Sequence, residues 1–206
     1  GSGIEQRLSD LYYDDIYCVA CWYDNTGGVP SVECLNLAHR DEAELWQQRF
    51  EVARSTDIPL DWDGTLSVWR DLVIWTDARD MGLSGYDLTV ADLDLDDDGL
   101  LNPEDPTPGA GPAVFPLITY PWHQMSPDLG GYETTPGQWQ LFATWADRRN
   151  DNQPDIYAYD LSLDSDGDGL PNWKDPDRAN LALVRRFPTT SRLYQRTAWA
   201  TLRRIR

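Results

Sequence analysis

A run of alternating aspartates constrains this chain more than anything else in it. Residues 164–177 read DSDGDGLPNWKDPD. With Asp164 as position 1, Asp166, Asp168, Asn172 and Asp175 fall at positions 3, 5, 9 and 12, and Gly169 at position 6. A Ca2+ ion takes about 6–8 oxygens at roughly 2.3–2.6 Å, which a short segment supplies only by turning tightly around the ion. Alternate carboxylates aim inward, the glycine takes the bend, and the Leu170 carbonyl is the expected position-7 ligand.

The same pattern stands 70 residues earlier, at Asp94, Asp96, Asp98, Gly99, Leu100, Asn102 and Asp105. A single loop of this kind has a plainer reading as a solvated acidic turn, since Asp-Gly and Asn-Pro pairs mark turns anyway. The spaced pair points instead to two Ca2+ sites. Both close on Asp rather than the more usual Glu. Pro103, Pro106, Pro171 and Pro176 flank the closing residues and oppose the helix that follows an EF-hand or dockerin loop.

In the form DxDxDG followed by Asp-Pro, these residues resemble the thrombospondin type 3 repeat. The resemblance covers residues 92–106 and 160–177. It implies calcium-dependent folding outside the cell and a structural or adhesive role. The repeat's cysteine is absent, and the two loops are not contiguous.

The loops belong to a longer internal similarity. Aligning 75–106 with 145–176 gives 12 identities in 32 positions, beginning Trp75/Trp145, Asp77/Asp147 and Arg79/Arg149, with Trp69 and Trp139 extending it upstream. The expected fold is therefore mainly β, an internal repeat of strand–turn–strand–calcium-loop units. Tryptophans at equivalent places read as packing residues; Trp122 and Trp173 lack such partners and are the better candidates for glycan recognition. Asp147, Arg149, Asp151 and Asp155 read as a decayed loop in which an arginine replaces the ion.

Upstream, residues 11–23 are aromatic and β-branched enough for one or two strands. A helix packed on a sheet is expected from Asp41 to Arg54, with Ala43, Trp46, Phe50 and Ala53 on one face. Residues 106–137, with seven prolines, read as an extended surface connection. Residues 192–206 fit either an amphipathic helix or a strand through Ala198, Ala200 and Leu202. The expected units are 1–58, with the cysteines; 59–128; 129–190; and a basic segment, 191–206.

Cys18, Cys21, Cys34 and His39 have spacings that would suit zinc. The extracellular setting implied by calcium favours one disulfide that includes Cys34, its partner left open between Cys18 and Cys21. An extracellular or cell-surface location follows from the same argument.

The net charge of −18 argues against nucleic acid and anionic membrane as partners. No apolar run reaches the length of a membrane span. Eight arginines and no acid follow Asp177, leaving nine basic against 35 acidic residues before it, a net of −26. That split suggests docking between copies, head to tail. Catalytic motifs are absent, so no enzyme activity is expected. Asp128 and Glu133 read as surface carboxylates. A carbohydrate-binding module of a secreted enzyme is the alternative function.

Overall fold

The computed structural model describes residues 6–37, 49–56, 58, 65–77, 86–109, 113–118, 123–136, 138–148, 154–164, 171 and 185–187. Their chain forms three four-stranded antiparallel sheets, each with its strands in sequence order. The first holds β1 (Gln6–Tyr13), β2 (Cys18–Asp24), β3 (Ser31–Asn36) and β4 (Phe50–Arg54). The second holds β5 (Leu66–Trp69), β6 (Leu72–Asp77), β7 (Asp87–Asp92) and β8 (Val114–Ile118). The third holds β9 (Gln124–Thr135), β10 (Gln138–Asp147), β11 (Asp155–Asp160) and β12 (Arg185–Phe187).

The sheets stack face on face, and the sequence shows why the second lies in the middle. Strand β6 opens with the unbroken apolar run Leu72-Val73-Ile74-Trp75, the pattern of a strand covered on both sides. Val73 and Trp75 face the first sheet, packing with Val19, Cys21, Tyr23 and Val32. Leu72 and Ile74 face the third, packing with Leu141, Ala143, Trp145 and Tyr157. In β10 burial alternates instead, as in a sheet with one face covered. Strand β5 lies against both β1 and β9, so the first strands of all three sheets are neighbours.

The mainly-β expectation holds. The expected unit had two strands before each acidic loop, whereas the sheets have four, with the loops placed between the third and fourth strands. The helix proposed for 41–54 is wrong at its end: Phe50–Arg54 is strand β4, paired with β3, while residues 41–48 lie outside the described residues. The proline-rich connection is also corrected. It contains β8 and β9, the latter running from Gln124 to Thr135. Both strands lie at sheet edges, where a missing N–H is tolerated; Pro116 pairs with Thr89 there, and Pro127 sits at a register shift beside Ser126.

Cys21 and Cys34 are direct partners across β2 and β3, 4.2 Å apart at Cα, and form the disulfide. Cys18 remains a buried thiol. His39 lies outside the described residues.

Candidate metal centre

The loop between β7 and β8 carries the site. Strand β7 ends at Asp92, and the chain turns at Asp97, with φ 60°, and Gly99, with φ 93°. Glycine at position 6 thus takes the left-handed bend expected of it. Asp94, wholly buried, braces the turn: its Oδ2 accepts the Gly99 N–H at 2.8 Å and its Oδ1 the Asp98 N–H at 3.3 Å. Carboxylate oxygens of Asp94, Asp96 and Asp98 all lie within 4.8 Å of one another, close enough to share one ion.

Asp105 is 8% exposed, and its Oδ1 accepts the Thr107 N–H at 2.7 Å. Its Oδ2 is buried without a hydrogen-bond partner. A buried carboxylate oxygen left in that condition is costly unless a cation completes it. Asn102 acts differently from expectation. Its Oδ1 accepts the Leu95 N–H at 3.0 Å and its Nδ2 donates to the Asp92 carbonyl at 2.9 Å, so the amide ties the two limbs of the loop. Leu100 is exposed at the tip, its N–H donated to Asp98 Oδ1. Gly109 supports the loop from behind, where any side chain would meet the Leu95 backbone at 2.9 Å.

Asp96 is displaced upward in pKa by desolvation, then by Asp98, Asp105 and Asp94. Buried Asp71, in the β5–β6 turn, is pushed up to about 7 by burial first and then by Asp97, with Asp94 adding to it and Arg70 opposing. Mutual repulsion of this kind is what a bound divalent cation relieves. The Tyr17 hydroxyl donates to Asp94 Oδ2 at 2.7 Å and joins the first sheet to the loop. Arg70 stands over the rings of Tyr17, Trp69 and Trp139 at 5.1, 6.0 and 4.5 Å. Each ring belongs to a different sheet or its turn, so the three sheets meet beside the loop. Sequence reasoning missed Asp71, Tyr17 and Arg70.

The second loop starts differently. Trp75 pairs with Thr89 but Trp145 pairs with Tyr157, so β10 is displaced from β6 by 70 residues and β11 from β7 by 68. The turn leaving each strand is alike: Asp94 donates its N–H to Asp92 Oδ1 at 3.1 Å, and Ser162 to Asp160 Oδ1 at 3.0 Å. Ser162 therefore stands where Asp94 does, and Asp164 is exposed two residues further on. Asp166, Asp168, Leu170, Asn172 and Asp175 lie outside the described residues, as do Arg79, Arg149, Trp122 and Trp173.

Elsewhere the equivalences are close. Trp75 and Trp145 are buried, and their indole N–H groups donate to Asp77 and Asp147 Oδ2 at 3.3 and 3.2 Å. Trp69 and Trp139 pack edge to face, 5.2 Å between centroids. These four tryptophans are packing residues, as anticipated. Glu133 is exposed, but Asp128 is half-buried and lies 3.2 Å from the Ser67 hydroxyl.

No protein-family model matches the chain, and no curated protein matches it. Among solved structures, the chain is similar to the crystal structure of an alpha-L-arabinofuranosidase from Lactobacillus brevis. The TM-score is 0.44 at 15% identity, over 92% of this chain and 57% of that one. The chain thus spans little more than half of that protein's length, and a likeness of this degree carries neither fold nor activity across.

Proposed function

We propose that the Asp94–Asp105 loop binds one Ca2+ ion and that the protein is a calcium-stabilised extracellular module with a structural or adhesive role. Asp94, Asp96, Asp98 and Asp105 supply side-chain oxygens, the Leu100 carbonyl supplies another, and Asn102 holds the loop limbs together. The single observation that carries this reading is the convergence of the Asp94, Asp96 and Asp98 carboxylates in a loop that also holds a buried, unpartnered Oδ2 on Asp105, whose charge acts on Asp96. A hard cation with flexible geometry and oxygen ligands suits such a loop. Asp164, Asp166, Asp168, Leu170, Asn172 and Asp175 form the second Ca2+ site of the proposal.

The disulfide is consistent with an oxidising compartment. Among the described residues no helix is long and apolar enough to cross a membrane. The basic segment after Asp177 supports an attractive contact with the acidic body, either its own or a neighbouring copy's. The glycan-binding alternative rested on Trp122 and Trp173, and no described geometry bears on either.

Isothermal titration with Ca2+ tests the proposal. The intact protein is expected to take up two ions, and Asp96→Asn one. Absence of calcium-dependent heat would overturn the reading.

A further inference from the structure

We propose that Asp10, Ser67 and Asp128 form a proton-operated clasp across the three sheets, closed while one proton sits between Asp128 and the Ser67 hydroxyl and opened when that proton leaves. This inference does not depend on calcium.

The clasp lies where the first strands of the sheets run side by side, β1 against β5 and β5 against β9. Ser67, buried in β5, is its middle member. Its Oγ stands 3.0 Å from Asp10 Oδ2 in β1 and 3.2 Å from Asp128 Oδ1 in β9. Two backbone donors join them. The Val68 N–H goes to Asp10 Oδ2 at 2.9 Å. The Leu129 N–H reaches Ser67 Oγ at 3.2 Å and also supports the Asp128 carboxylate.

Protons are short by one in this arrangement. A serine hydroxyl carries a single proton, and an ionised carboxylate offers only lone pairs. With both aspartates ionised, Ser67 has one proton for two anions. Its other contact then sets lone pair against carboxylate with nothing between them, in a part-buried place where that is costly. One added proton completes the row: Asp128 donates to Ser67 Oγ, and Ser67 donates to Asp10 Oδ2. The added proton belongs on Asp128, because Asp10 Oδ2 has the Val68 N–H to itself while Asp128 divides the Leu129 N–H with Ser67. Its loss to water takes the trio from one negative charge to two, and the charges repel across the joint between the first and third sheets.

The surroundings leave the pair to settle this between themselves. Among the described residues, Asp10 is the one charged group that acts on Asp128. Across the third sheet Asp128 stands opposite Thr144, and β6 and β7 bring Leu72, Ile74, Leu88 and Val90 to the same interface. Across the first sheet Asp10 stands opposite Cys21, which is held in the disulfide. Burial, the largest effect, and Asp10 both push the Asp128 pKa up, against the Ser67 and Leu129 hydrogen bonds. The clasp is therefore closed at lower pH and opens as pH rises from the ordinary carboxylate range through the raised value.

Carbon-13 NMR of the Asp128 carboxyl and hydrogen exchange of the Leu129 amide, both followed through pH on the full chain, test this. Asp10→Asn keeps the shape and an acceptor oxygen but removes the charge, and the Asp128 midpoint is expected to fall by about one pH unit. In wild type the Leu129 amide, corrected for the pH dependence of intrinsic exchange, is expected to lose about tenfold in protection across the Asp128 midpoint, while the Val32 amide in the first sheet does not. Asp128→Asn is expected to abolish that step. An Asp128 midpoint indifferent to Asp10→Asn would overturn the shared proton. Leu129 protection that stays flat through the midpoint would overturn the clasp. Should Asp10→Asn fail to fold, the wild-type comparison of midpoint and protection alone decides.

Discussion

Arg70 occupies the first position of a two-residue hairpin turn with φ 55°, a conformation that usually falls to glycine. For a side chain other than glycine this costs on the order of 1–2 kcal/mol. Three aromatic rings around the guanidinium offset it, each such contact contributing about 0.5–2 kcal/mol. Arg70→Gly relieves the strain and loses the rings; Arg70→Ala loses the rings and keeps the strain. The expected order of urea midpoints is wild type, then Gly, then Ala, with Ala destabilised by about 1–3 kcal/mol. An Ala variant as stable as wild type would show that the ring contacts are idle. Asp128 gives a second prediction at this scale. Burial raises its pKa, and the Ser67 hydrogen bond only partly opposes that. With the folded value above the unfolded one, the folded state holds the proton more tightly. Asp128 therefore contributes stability at low pH that is lost as pH rises from the ordinary carboxylate range through the raised value. Asp128→Asn is expected to flatten that part of the pH–stability curve, measured as its difference from wild type.

Among the elements, the disulfide across β2 and β3 closes a short loop, the two cysteines standing 13 residues apart. A loop of that length corresponds to about 3 kcal/mol of stabilisation. Replacing Cys21 and Cys34 together by Ala is expected to cost about 2–4 kcal/mol in chemical denaturation, after which reductant changes nothing further. The same changes at Cys18 alone would leave the response to reductant intact. Strands also show where sequence reading works and where it stops. Val19, Cys21 and Tyr23 were legible as strand because β-branched and aromatic residues cluster there. In Phe50–Arg54 the spacing of Trp46, Phe50 and Ala53 suits a helical face, and a five-residue strand is too short for alternation to outvote it. β8 and β9 were hidden by their prolines, because edge strands and register shifts accept proline where central strands do not.

On the scale of the whole molecule, the site was legible in the sequence to the extent that it is local. The proposed ligands from Asp94 to Asp105 lie within one loop of chain, so residue type and spacing are enough to mark them. Tyr17 reaches Asp94 from 77 residues away, and Asp71 approaches through a hairpin of another strand pair; neither has a local signature. The two-residue slip that puts Ser162 in Asp94's place was invisible because the aspartates align without a gap. The first loop sits where all three sheets meet, through Tyr17, Arg70 and Trp139, so under the proposal an ion bound there would be felt by the entire fold. The most direct test is thermal unfolding of the full chain with and without Ca2+. An ion bound only by the folded state at about 100 times its Kd adds about 2.7 kcal/mol. For a chain of this size that raises Tm by about 5–10 °C over the value in chelator. A Tm that is the same in calcium and in chelator would contradict the account.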